Sequence, residues 1–569
     1  MKWYFQDRPA DAGAGQDDSY TQPGLISLPE ELLERHGASV LGPGQAAALN
    51  ADATPARPTV YRRSTLLIPD HLLRKKDFRD AVDEALADVK MQLASPSRPD
   101  QILGEGEGEI FEELRRLPRP AVLVPAADSG PVVVDAWVAL QALRAAAASP
   151  RYPKLDELTV MQIYLEHLAI GSGITGSPIG NGGGGIAGGP GAGSVSGPSI
   201  TDSYLFSGGD PRTPVALLLD TPAYKSDTQV ESEYGQRPVL AVLDTGLGPH
   251  PWLGVSPDGA GGFTVDPNGP VAIDRRIQDT IYAQGQQAQA DGDRPRQLID
   301  GPWDKPMWAN PLVGELNPAY GHGTFIAGIV RQVAPDARIL ALRVMHSDDV
   351  AYESDILCAL GQLAHRIALG AQGDVAAMVD VISLSFGYFS ESPGYEAETS
   401  ALWPVIKVLL RLGVIVVAAA GNYATSRRFY PAAFATEKVA DDEVPVVSVG
   451  ALNPNGTKAM FSDDGSWVTA YAEGAAVIST YPVEANASRT PNLTMPVVPT
   501  PPRLSLHERA ALDADDFTCG WAIWSGTSFS APHIAARFIR SLQEGARGDL
   551  KLNLPGKKVR AKAVWDKLR

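Results

Sequence analysis

Val239-Leu240-Ala241-Val242-Leu243-Asp244-Thr245-Gly246 opens with five apolar residues, runs into a carboxylate and ends on turn-forming residues. A run this short and this apolar suits a strand buried on both faces better than a helix. Comparable β-branched runs recur at 339–344, 379–384, 414–420 and 444–449. Between them lie helical patterns. Ser354 is placed to cap a helix whose Ile356, Leu357, Leu360, Leu363 and Ile367 share one face, and a second helix is expected over 396–412 with Gly413 as its stop. Strands alternating with helices predict an α/β fold, a parallel sheet with helices on both faces.

Working outward, residues 171–200 hold 13 glycines in 30 positions and almost no charge, which cannot build a core and reads as a linker. Ahead of it, strand-like runs at 60–68 and 121–125 and helical stretches at 72–93 and 135–148 predict a small α+β unit over 51–170. Residues 1–50 read as poorly ordered. The proline-rich stretch 482–516 reads as a surface insertion, and 546–569 as a basic C-terminal tail.

Composition bounds the function. Apolar residues at 44% and charged residues at 20% describe a globular chain with a sizeable core. Acids outnumber bases 66 to 49, for a net charge of -17, which argues against a nucleic-acid partner. The opening residues lack the apolar core of a secretory signal and no stretch has the length of a membrane span, so a cytoplasmic location without a membrane anchor is expected. Cys358 and Cys519 are too few for a disulfide framework and lack zinc-site spacing.

Ligands of an open parallel sheet gather at the carboxyl ends of its strands, which is where Asp244 stands. Gly321-His322-Gly323-Thr324 sets a histidine in the first turn of an apolar helix. Gly526-Thr527-Ser528-Phe529-Ser530-Ala531-Pro532-His533 sets a serine at another helix start, where free amides and the dipole favour a developing oxyanion. Pro532 is expected within the tolerant first turn. Asn422, after the 414–420 run, is a further oxyanion donor of the right kind. Each has a bland reading as a turn or cap residue; four on one α/β pattern point to nucleophilic catalysis.

These residues resemble the subtilisin-like serine peptidases: Asp244 in VLDTG, His322 in GHGT, Asn422 in AAAGN and Ser528 in GTSFSAPH, in the chain order Asp, His, Ser. The resemblance covers roughly 237–543 and implies a peptidase domain over about 201–545. It implies that Ser528 attacks a peptide carbonyl, that His322 moves the proton, that Asp244 orients the imidazole, and that Asn422 and the Ser528 amide hold the oxyanion. It further implies that Ser385, Phe386 and Gly387 pair with an extended polypeptide substrate, with Ala419, Ala420 and Gly421 as the opposite pocket wall. Phe429 aligns near the pocket floor, where a small residue is commoner, so a small residue is expected before the scissile bond. No cofactor is needed for this chemistry, and no family calcium site can be matched to the sequence. The unit over 51–170 is then either an intramolecular inhibitor, as propeptides of the family are, or an accessory domain.

An aspartic peptidase built on Asp128-Ser129-Gly130 and Asp244-Thr245-Gly246 would need an all-β setting for the second motif. His322 separates the chain from the glutamate-using sedolisins, and no HExxH supports a metallopeptidase. The non-enzymatic alternative is a catalytically silent peptide-binding module.

Overall fold

The computed structural model describes residues 2–6, 28–42, 56–95, 106–172 except 128, most of 212–486, and 494–495, 509–510, 516–546 and 556–569; within 212–486 it leaves out 261, 306–307, 311–314, 371–376, 393 and 395. The linker from residue 173 onward, much of the 482–516 insertion and Asp128 lie outside the described residues.

All five expected runs become neighbouring strands of one eight-stranded sheet. Its order is Trp3–Phe5, Ala470–Glu473, Val447–Leu452, Ile415–Ala419, Val381–Leu384, Val239–Asp244, Arg338–Arg343 and Val271–Ile273. Every pairing is parallel except that of the Trp3–Phe5 edge strand. The two-residue period sorts the strand side chains. Leu240, Val242, Ile415 and Val417 pack with the helices His322–Val333 and Thr527–Ala546. Ala241, Leu243, Val416 and Ala418 pack with Glu353–Gly370 and Trp403–Arg411 on the other face. This is the α/β architecture read from the sequence.

The N-terminal unit is an antiparallel sheet in which Tyr164–Gly171 and Pro118–Pro125 flank Thr59–Pro69, with Ala38–Leu41 and Met91–Leu93 as further strands. Its helices Lys76–Ala87 and Ala136–Ala147 cover one face. The other face packs on the large domain, and the sheet itself continues across the boundary: Tyr164–Gly171 pairs with Val350–Tyr352 and with Phe386–Gly387 of the larger domain.

Several sequence expectations need correction. Within 1–50, Trp3–Phe5 completes the main sheet, and Glu30–Arg35 and Ala38–Leu41 join the N-terminal unit. The C-terminal tail contains a docked helix, Lys557–Leu568, because Ala561, Val564 and Trp565 at one-turn spacing bury one face and Lys557 donates to the Val379 carbonyl. The helix expected over 396–412 starts only at Trp403, with Pro404 in its first turn. Ser354 lies inside Glu353–Gly370 and donates to Glu166 of the N-terminal unit, so it caps nothing. The strand Tyr164–Gly171 runs into the first residue assigned to the linker.

Candidate active site

Asp244 is the last residue of its strand and is buried, and its Oδ1 lies 2.8 Å from His322 Nδ1 while also accepting from the Thr245 amide at 2.8 Å. His322 opens its helix, and close packing explains the glycines around it. A side chain on Gly323 would collide with the Gly246 carbonyl, so the helix start could not approach the Asp244 turn. A buried carboxylate, Asp304, fastens the two segments together. Its Oδ2 accepts from Thr245 Oγ1 at 2.7 Å and from the Gly321 amide at 2.8 Å, and Thr245 Oγ1 accepts in turn from the Gly323 amide at 3.1 Å. Burial, against the pull of Arg343, raises the Asp304 carboxyl to about 7. Trp524 and Phe529 pack on the His322 ring at centroid distances of 5.4 and 5.3 Å.

Ser528 sits in the first turn of Thr527–Ala546 and is buried. Neither Ser528 Oγ nor His322 Nε2 has a hydrogen-bond partner among the described residues. Pro532 lies beyond the first turn, contrary to expectation. The carbonyl it leaves without its helical amide is that of Ser528, and Ser385 Oγ donates to that oxygen at 3.1 Å. The Asn422 amide is oriented by its own acceptor: Oδ1 receives the Thr527 amide and hydroxyl, both at 2.9 Å, which turns Nδ2 toward the cleft. Phe429 wedges between Gly387 and Gly421, closing the space between the Ser385-Phe386-Gly387 and Ala419-Ala420-Gly421 walls.

The cleft is filled by the chain itself. The Tyr164–Gly171 strand lies between two strands of the large domain, with Ile170 opposite both Val350 and Gly387, and Gly171 opposite Phe386. The Ser172 amide then donates to the Ser385 carbonyl at 2.9 Å. The Ser172 carbonyl oxygen accepts from Asn422 Nδ2 at 2.5 Å and from the Ser528 amide at 3.0 Å. Two donors on one carbonyl polarise it toward attack by a nucleophile.

Residues 235–561, more than half of the chain, match the subtilase family of peptidases. The chain belongs to the subtilase family. Among curated subtilases it is similar to the thermophilic serine proteinase of Bacillus sp. (strain AK1), 31% identical over 28% of this chain and 35% of that protein. Subtilisin BL of Lederbergia lenta is 31% identical over 30% of this chain and 56% of its own length, and thermitase of Thermoactinomyces vulgaris 30% identical over 30% and 54%. The matched part of this subtilase thus spans between a third and somewhat over half of those relatives. A solved structure, a cold adapted subtilisin-like serine proteinase, aligns at 19% identity and TM-score 0.31 over 61% of this chain and 88% of its own.

Sequence reasoning located Asp244, His322, Asn422 and Ser528 but missed Ser172, Asp304 and Thr527. The run Leu165 to Ile170 before the linker, apolar but for Glu166 and His167, was the available signal for the cleft strand. Among the described residues no cluster of three or more His, Cys, Asp or Glu is placed to hold a metal ion, and no helix is long and apolar enough to cross a membrane.

Proposed function

We propose that this subtilase is a serine endopeptidase that acts through an acyl-enzyme on Ser528. The observation that carries the reading is the Ser172 carbonyl held by Asn422 Nδ2 and the Ser528 amide, at the end of a strand paired on both sides as a substrate would be. In this reading His322 removes the Ser528 hydroxyl proton and returns it to the leaving amine. Asp244 fixes the tautomer that keeps Nε2 free to accept it. Asn422 and the Ser528 amide stabilise the tetrahedral oxyanion, and water releases the acyl group. Phe429 keeps the pocket shallow, which suits the small Ser172 before the bond. The N-terminal unit acts as an intramolecular inhibitor, and the polypeptide substrate must displace its last strand.

The silent binding-module reading draws on the lack of a hydrogen bond between Ser528 Oγ and His322 Nε2. Fluorophosphonate labelling separates the two. Labelling located at Ser528, lost in Ser528→Ala and strongly reduced in His322→Ala, is expected of the peptidase. Absence of label after limited proteolysis of the N-terminal unit would favour the binding module.

A further inference from the structure

Asp349 is an acidic side chain aimed at the backbone of the seated segment at Gly171. Its backbone carbonyl accepts from the Gly171 amide at 3.1 Å, which fixes the two residues against each other. Its own φ is +77°, a left-handed conformation that few side chains adopt without cause, and this turns the carboxyl toward Gly171. A Cβ built on Gly171 would fall on Asp349 Oδ1, with Asp349 Cγ at 3.1 Å and Met345 Sδ at 3.2 Å. Both Asp349 oxygens are buried without a hydrogen-bond partner among the described residues, and the side chain is fully enclosed. Burial, followed by the nearby Asp244 and Asp348, pushes this carboxyl well above the usual range. A buried polar group without a partner is rare enough in a folded protein to call for a reason.

We propose that Asp349 is a specificity-determining residue that restricts the position two before the scissile bond to glycine, so that the substrates are extended polypeptide segments carrying glycine followed by a small residue. This rests on the cleft reading given above. A side chain in place of Gly171 must displace an enclosed carboxyl, and any displacement also pulls at the Asp349 carbonyl that pairs with the substrate amide. Glycine avoids both, and Ser172, itself small, meets the second requirement.

Two measurements on the full chain test this. In the Ser528→Ala background, which removes chemistry, Gly171→Ala should lower the melting temperature even though alanine loses less backbone entropy than glycine on folding, and Asp349→Gly, which suits the positive φ, should recover the loss. With Ser528 intact, Gly171→Ala should slow the appearance of a fragment ending at Ser172 by about tenfold or more, and adding Asp349→Gly should restore most of the rate. If Gly171→Ala melts no lower, if Asp349→Gly recovers nothing, or if both chains are cut at equal rates, the inference is overturned. If the melting cycle behaves as expected while no chain is cut and Ser528 takes no label, the peptidase reading fails and the selection at Asp349 stands as one of binding.

Discussion

The two faces of the N-terminal sheet are built differently. Toward its own helices the sheet presents Leu66, Ile68, Leu123 and Leu165, which pack with Val82, Leu86, Leu140 and Leu143 in an apolar layer. Toward the large domain it presents Val60, Leu67 and Leu168 to the shared apolar core, and beside them Arg62 and Glu166, both fully buried, among Arg296, Asp293 and Asp355. Arg296 reaches Asp355 at 2.6 Å, Asp293 at 3.3 Å and Glu166 at 3.5 Å, and Arg62 pairs with Asp293. Burial raises the Asp355 carboxyl to about 6 against the pull of Arg296, whereas at Asp293 Arg62 and Arg296 together outweigh burial and hold the carboxyl low. An apolar face must stay covered. A charged patch can return to water with much of its desolvation cost recovered, so the buried ion network makes the second face the joint that opens more readily of the two.

The largest effect that could break this comparison is Arg296→Ala. It leaves Glu166, Asp293 and Asp355 without their shared cation and should cost about 3 to 5 kcal/mol in urea unfolding. A cost under about 1 kcal/mol would mean the network is hydrated and the contrast between the faces is weaker than drawn. Leu140→Ala, on the apolar face, should cost about 2 to 5 kcal/mol and melt the unit itself instead of undocking it. Circular dichroism with limited proteolysis distinguishes the two.

A smaller effect comes from pH. His167 bridges Glu353 at 2.7 Å and Glu391 at 2.8 Å across the joint, and these carboxylates outweigh burial to raise its imidazole to about 10. Its contribution is full below the unfolded value near 6.5, declines as pH rises and is gone above about 10. His346 behaves in the opposite sense. Burial, then His36, Arg343 and Arg296, hold it well below 6.5 against Asp348, so its contribution is present above 6.5 and lost as pH falls. Melting temperature should therefore drop on the acid side less in His346→Asn than in wild type, and on the alkaline side less in His167→Gln. Equal profiles in all three chains would remove both histidines from the joint's energetics.

The smallest effect is kinetic. Cys358 lines a cavity of about 660 Å³ between the two regions together with Arg74, Arg115 and Arg119, and burial pushes its thiol up. Iodoacetamide should label Cys519, which is exposed, and leave Cys358 unmodified until the joint opens. Arg296→Ala should speed Cys358 labelling more than Leu140→Ala does at equal stability.

What was legible in the sequence was local. The five strand runs, the glycines beside His322 and the small residues after Ser528 carry their structural reasons within a few positions. What escaped depends on partners far along the chain. Trp3–Phe5 is a strand only because Ala470–Glu473 offers it an edge, the Lys557–Leu568 helix is ordered by a groove beside Phe538, and Pro532 is tolerated because Ser385 supplies the missing donor. Asp349 reads as a loop acid until Gly171 is seen against it. Pattern reasoning predicts which residues are buried in a strand, but not which other strand arrives beside them.

The Trp3–Phe5 edge strand has one more consequence. Besides the joint, the portion of chain before the linker adds strands to the large domain at two separate points, through Trp3–Phe5 in the main sheet and through Tyr164–Gly171 in the cleft. A chain severed after Ser172 would remain a multi-point complex, in which loss of one anchor leaves the others holding the partner at high effective concentration. Cutting and letting go are then separate events with separate rates, and the second belongs to avidity, not to chemistry.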